Sequence, residues 1–118
     1  MKLTLVADGP EVVRVRCEGE IRDVRYQIKG DPLENLLGPG CYSRKVLLDL
    51  ERTDYIDSSG ISWLIVSHKY FKQGGGRLVL HTIPPRVNQV LQFLHMNRVL
   101  HLAADEPAAR ALALGGNP

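Results

Sequence analysis

Four consecutive residues, Asp57-Ser58-Ser59-Gly60, carry the clearest chemistry in this chain. They set a carboxylate and two hydroxyls between the apolar run Val46-Leu47-Leu48-Asp49-Leu50 and an amphipathic pattern that begins at Ile61. Asp57 suits a helix N-cap, which places Ser58 and Ser59 in the first helical turn. Backbone N–H groups are free there, and the helix dipole favours negative charge. A phosphate added at that point gains about −1.5 to −2 charge and recharges the surface beside it. Taken alone, the four residues also read simply as a helix cap. Their chemistry suggests a switch rather than a catalyst.

Other groupings support catalysis less well. Asp49, Glu51, Asp54 and Asp57 are close in sequence, but a solvated turn explains them better than a paired acid and base. Ser59 can be combined on paper with His68, His81, His95 or His101, yet Asp57 stands where a Gly-x-Ser-x-Gly elbow needs its first glycine. The histidines follow no recognised metal spacing. Gly74-Gly75-Gly76 lacks the following Lys-Ser or Lys-Thr of a phosphate loop and reads as a helix C-cap. No cofactor or metal is expected. A receiver domain is the nearest competitor, with Asp49 as acceptor and Thr82 after a later strand. Asp8 stands without the acidic neighbours that would hold Mg²⁺.

The elements that must position the serines can be read in outline. Leu3 to Val6 reads as a short strand, and Asp8-Gly9-Pro10 as a hairpin-like turn. Val13, Val15 and Cys17 alternate onto one face of a second strand, which Gly19-Glu20-Ile21 ends or bends. Asp31 fits the cap of a short helix from Pro32 to Leu37, stopped by Gly38-Pro39-Gly40. Val24 to Lys29 suits a strand extension. Val46 to Leu50 is the clearest buried strand, and Glu51-Arg52-Thr53-Asp54 reads as a polar turn after it. Ile61, Leu64, Ile65 and His68 or Tyr70 recur at helical spacing up to Gln73. Trp63 and Tyr70 fit either partner anchors or core packing. Leu78 to Leu80 is another strand. Pro84-Pro85 opens a helix with Val87, Val90, Leu91 and Leu94 on one face. Val99 to Leu102 is a brief strand, and Asp105 or Glu106 starts a last helix through Leu114, before the tail Gly115 to Pro118. The order predicts an α/β fold: one domain over residues 1–118, with a mixed, mostly parallel sheet and about four helices.

These elements, in this order, resemble the STAS domain of bacterial anti-sigma factor antagonists. The resemblance rests on Val46 to Leu50, the Tyr55-Ile56-Asp57-Ser58-Ser59-Gly60-Ile61 turn, the helix to Gly74-Gly75-Gly76, and the strand Arg77-Leu78-Val79-Leu80. Pro84 to Leu91, His95-Met96-Asn97-Arg98-Val99 and Gly19-Glu20-Ile21 extend it. It is strongest over residues 44–102, and 23–43 is atypical because its prolines and glycines leave room for only a short helix. The resemblance implies that an anti-sigma factor that is also a serine kinase binds the turn Asp57, Ser58, Ser59, Gly60 and Ile61. It implies that phosphorylation of Ser59, with Ser58 as the second candidate, ends the binding, and that a phosphatase restores it. A different outcome of the same fold is a scaffold subunit, stressosome-like, whose serines are never phosphorylated.

Composition narrows the partners. The 118 residues are 44% hydrophobic, enough for one core, and the net charge of +2 gives no electrostatic case for nucleic acid. No apolar run suits a membrane span, and the start Met1-Lys2-Leu3-Thr4-Leu5-Val6 turns polar too soon for a signal peptide. Cys17 and Cys41 fit reduced, small apolar fillers, so a cytoplasmic protein is expected, either a monomer or a weak homodimer through an exposed sheet edge.

Overall fold

A computed structural model describes residues 1–24 and 31–115. Five strands form one sheet in sequential order: β1 (Lys2–Asp8), β2 (Val13–Ile21), β3 (Lys45–Ile56), β4 (Arg77–His81) and β5 (His101–Ala103). β1 and β2 form an antiparallel hairpin through Asp8-Gly9-Pro10, and every later pairing is parallel. The described residues also form four α-helices: α1 (Pro32–Leu37), α2 (Ser58–Gly74), α3 (Pro85–Phe93) and α4 (Glu106–Ala113). The parallel strands need crossovers, and α1, α2 and α3 lie in the three connections, whereas α4 follows β5. The sequential order differs from the 2-1-3-4-5 order of a flavodoxin-like receiver. Asp8, which would belong to that reading's acidic cluster, is instead ion-paired to Arg44 at 2.7 Å.

Alternation along the strands divides the interior into two layers. Val13, Val15 and Cys17 of β2 join Val46, Leu48 and Leu50 of β3 and Leu78 and Leu80 of β4 under α1, α2 and α3. The opposite face sends Leu47 and Val79 against Ala109 and Ala113 of α4. The small alanines allow that helix to lie close. Because side chains alternate with period two, these residues could not change layer without reversing a whole strand.

The polar stretch Glu51-Arg52-Thr53-Asp54 is not a turn: it continues β3 as far as Ile56. Pairing decides this against local polarity. Arg52, Tyr55 and Ile56 face Glu18, Glu20 and Ile21 across irregular registers of β2. Thr53 points inward, where its hydroxyl donates to the Cys17 carbonyl at 3.2 Å. Glu51, Arg52, Asp54 and Tyr55 remain exposed.

Three smaller expectations also shift. The last strand is His101–Ala103 rather than Val99 to Leu102, because a 3₁₀ turn at Met96–Arg98 occupies the chain just before it. Leu94 follows α3 as its C-cap and stays exposed, whereas Val87 and Leu91 are buried. Gly38 ends α1, but Pro39–Ser43 forms a further 3₁₀ turn. The suggested extension of Val24 to Lys29 lies, apart from Val24, outside the described residues.

A buried carboxylate ties this part of the fold together. Asp31 caps α1 by accepting from Leu33 N–H at 3.0 Å. It also accepts from Trp63 Nε1 at 2.8 Å, Tyr42 Oη at 2.8 Å and Ser67 Oγ at 3.3 Å. Trp63 is therefore a core residue of α2, not a surface anchor. Tyr42 is held in turn by Phe71 and Tyr70, whose rings meet it edge-on at 5.1 and 5.3 Å between centroids. Burial and the neighbouring Asp31 push the Tyr42 hydroxyl pKa upward, so it remains a donor.

Candidate functional site

The strand β3 delivers the chain to Asp57 in extended conformation, with φ −104° and ψ −177°, and α2 begins at the next residue. This is the backbone geometry of an N-cap. Asp57 Oδ1 accepts from Gly60 N–H at 2.9 Å, satisfying one of the free donors at the helix start. The same oxygen accepts from the Ser59 hydroxyl at 2.6 Å. Oδ2 accepts from Asp23 N–H at 3.1 Å, and Ser59 Oγ accepts from Val24 N–H at 2.9 Å. The backbone of Asp57 also donates to the Ile21 carbonyl at 3.0 Å. The segment leaving β2 is thus laced to the N-terminus of α2 by three bonds.

Charge at the turn follows from those bonds. The Ser59 hydroxyl, then the Gly60 N–H, hold the Asp57 carboxyl down at about 2, below its ordinary value of 3.8. Asp57 is therefore ionised at any physiological pH. It orients the Ser59 hydroxyl but is too weak a base to take its proton. Among the described residues, the hydrogen bonds of the Ser59 hydroxyl go to Asp57 and to Val24 N–H, and none goes to a histidine.

Exposure separates the five residues of the turn. Ser58 is exposed, and Asp57 and Ser59 are half-buried. Gly60 and Ile61 are buried and belong to the support. A Cβ at Gly60 would lie 2.6 Å from Ile21 Cγ2 and 2.8 Å from the Ile21 carbonyl oxygen. Glycine is the residue that lets α2 start this close to β2. At the far end of α2, Gly75 takes φ +85°, and Gly76 N–H returns to the Phe71 carbonyl at 2.9 Å, closing the helix as the glycine run suggested.

Reasoning from sequence missed the β2 side of this site. Asp23 takes the left-handed conformation, φ 52°, and so points its N–H at Asp57. Arg22 lies beside it, with its guanidinium 4.9 Å from the centre of the exposed Tyr55 ring and 3.6 Å from Glu20. No local pattern identifies these partners, because they stand more than thirty residues from Asp57 and Ser59. Among the described residues no group of three or more His, Cys, Asp or Glu is arranged to hold a metal ion, and no helix is long and apolar enough to cross a membrane.

A mixed five-stranded sheet, an antiparallel N-terminal hairpin and a serine-bearing cap between β3 and α2 define a small class of α/β domains. The chain belongs to the STAS domain family, whose profile matches residues 5–109. It is 35% identical over 68 residues to BtrV of Bordetella bronchiseptica, provisionally named an anti-sigma factor antagonist. That match covers 58% of this chain and 59% of BtrV, so it spans less than two thirds of the relative's length. In structure it is similar to an anti-sigma factor antagonist from Mycobacterium paratuberculosis, with TM-score 0.69 and 19% identity over 97% of this chain and 96% of the other. It is also similar to the Bacillus cell fate determinant SpoIIAA in its phosphorylated form, with TM-score 0.61 and 19% identity over 94% and 99% of the two chains. The unphosphorylated form of SpoIIAA, an anti-sigma factor antagonist, gives TM-score 0.59 at 17% identity over 90% and 91%.

Proposed function

We propose that this chain is a regulatory binding domain that engages an anti-sigma factor with serine kinase activity, and that phosphorylation of Ser59 ends the engagement. The observation that carries this reading is the placement of the Ser59 hydroxyl: first turn of α2, half-buried, and oriented by Asp57 at 2.6 Å. The contact surface is Asp57, Ser58 and Ser59, with Gly60 and Ile61 holding its backbone from below. Phosphorylation replaces the Ser59 O–H, so its bond to Asp57 is lost and a dianion of about −1.5 to −2 charge arises beside an ionised carboxylate. The helix dipole and the Val24 N–H partly stabilise that charge. A protein packed over the turn would have to desolvate it. A loss of about 3 kcal/mol weakens binding roughly a hundredfold, which suffices for release without refolding. ATP belongs to the kinase, and a phosphatase returns the domain to its binding form.

Ser58 is the second acceptor candidate because it is the more exposed hydroxyl. The two are separated by incubating the protein with a purified partner kinase and ATP and locating the phosphate by fragment mass. Ser59→Ala abolishes incorporation if Ser59 is the acceptor, and Ser58→Ala does so if it is Ser58. Binding of the partner to Ser59→Ala but not to Ser59→Asp supports release by charge. Equal binding of both contradicts it and favours a scaffold role.

A further inference from the structure

At the opposite end of α2 from Ser59 lies a cavity of about 590 Å³. Its charged and polar lining comes from three places: His68 and Lys72 of α2, Arg77 and His101 at the starts of β4 and β5, and Asn97 and Arg98 of the 3₁₀ turn. Among the described residues, no aspartate or glutamate contributes to the lining. None of the ion pairs among the described residues uses Lys72, Arg77 or Arg98. Three permanently charged residues therefore line one concavity of a chain whose net charge is only +2.

We propose that this cavity binds a small molecule carrying a doubly charged phosphoryl or pyrophosphoryl group. Arg77 lines the cavity at the start of β4, and its Nη1 donates to the Leu112 carbonyl at 2.6 Å, which holds the guanidinium beside α4. Arg98 and Lys72 are exposed and both line the cavity, one offering a planar fork and the other a point charge. The Asn97 amide adds a neutral donor. The volume lies within the range of pockets for small organic ligands, so a phosphate ester with an attached body fits better than a bare ion.

The end of a helix dipole opposes an anion here, and its size can be weighed. The C-terminus of α2 amounts to about −0.5 charge. Gly75 and Gly76 N–H groups already return to the Lys72 and Phe71 carbonyls. Three side-chain cations outweigh that half charge, so the potential in the cavity stays positive. The two histidines register the same potential. Their ring centroids are 5.0 Å apart. His68 is lowered from the ordinary 6.5 by burial and then by Lys72, and His101 by burial and then by His68, Arg77 and Lys72. A bound dianion would offset that repulsion and draw protons onto the imidazoles.

Lys72 lies thirteen residues along α2 from Ser59, about 20 Å at 1.5 Å per residue. The cavity is thus separate from the serine turn, and the inference does not depend on Ser59 being phosphorylated.

The test is a titration of the ¹⁵N-labelled full chain with sodium pyrophosphate, and separately with inorganic phosphate, at ionic strength held constant with sodium chloride. The expected result is saturable shifts of the Gly75, Gly76 and Arg98 amides and of the His68 and His101 rings. The Lys72→Gln/Arg98→Gln double variant should weaken binding at least tenfold, while Arg86→Gln, on the exposed side of α3, leaves it unchanged. Both substituted side chains are exposed, and the spectrum itself reports that the fold is intact. Sulfate supplies a pH arm because its charge stays constant: its affinity should rise as pH falls below 6.5 and the imidazoles protonate. Non-saturating shifts scattered over surface lysines and arginines overturn the proposal. So does saturable binding that the double variant leaves intact.

Discussion

Replacing Asp31 by alanine should be among the most damaging single changes in the chain, although the residue lies far in sequence from the serine turn. Its side chain is 3% exposed and accepts four hydrogen bonds, from Leu33 N–H, Trp63 Nε1, Tyr42 Oη and Ser67 Oγ. A carboxylate offers about four lone-pair sites, so the four bonds use all of its accepting capacity. Truncation leaves at least two buried donors, on Trp63 and Ser67, without their partner. Each buried orphan costs about 1–3 kcal/mol, and the lost cap of α1 adds about 1 kcal/mol. Relaxation and water entry make these non-additive, so the expected loss is about 3–5 kcal/mol. With a urea dependence of about 1–3 kcal/mol per molar for a domain this small, the midpoint should fall by about 1–5 M. Trp63 is the only tryptophan, so its fluorescence follows this very contact during unfolding. Ser67→Ala is the internal comparison: it removes only the 3.3 Å bond and should cost less than about 1 kcal/mol. An Asp31→Ala loss no larger than that of Ser67→Ala would refute the view that Asp31 is the buried tie between α1 and α2.

Gly60→Ala should destabilise by about 1–3 kcal/mol, because its Cβ would lie 2.6 Å from Ile21 Cγ2 and 2.8 Å from the Ile21 carbonyl oxygen, and thermal unfolding measures this. Asp57 has a folded pKa of about 2 against an ordinary 3.8, so its contribution is complete above about pH 4 and is lost as pH falls toward 2. Asp57→Asn should therefore flatten the acid limb of stability in urea melts between pH 5 and 2, and Ser59→Ala should shift that limb upward in pH, since Ser59 is the largest cause of the lowered value. Burial raises the Cys41 thiol to about 11, so labelling by a thiol reagent at pH 8 should be slow in the folded protein and rapid in denaturant.

What the sequence revealed of this fold depended on how local each signal was. Val46 to Leu50 and Leu78 to Leu80 are short apolar runs, and both proved to be buried central strands. The caps at Asp31, Asp57 and Gly75 act within three residues and were equally legible. Glu51 to Asp54 misled because their strand conformation is set by pairing with β2, more than thirty residues earlier, and only Thr53 of the four faces inward. Trp63 was ambiguous for the same reason: its indole N–H partner is Asp31, thirty-two residues away. At the candidate site, the α2 half could be read from the order Asp-Ser-Ser-Gly, whereas the β2 half could not. Asp23 and Val24 enter through backbone N–H groups, which leave no mark on residue type.

The central claim is tested most directly by intact-mass and fragment-mass analysis of the protein isolated from its native cells, with and without phosphatase. The account predicts a single phosphatase-sensitive phosphate on Ser59 in part of the population, and none in a Ser59→Ala strain. A phosphate confined to Ser58 would keep the switch and move its acceptor by one residue. Persistent absence of phosphate from both serines, under varied stress and with a partner still bound, would contradict the switch and leave the turn as a helix cap and binding edge.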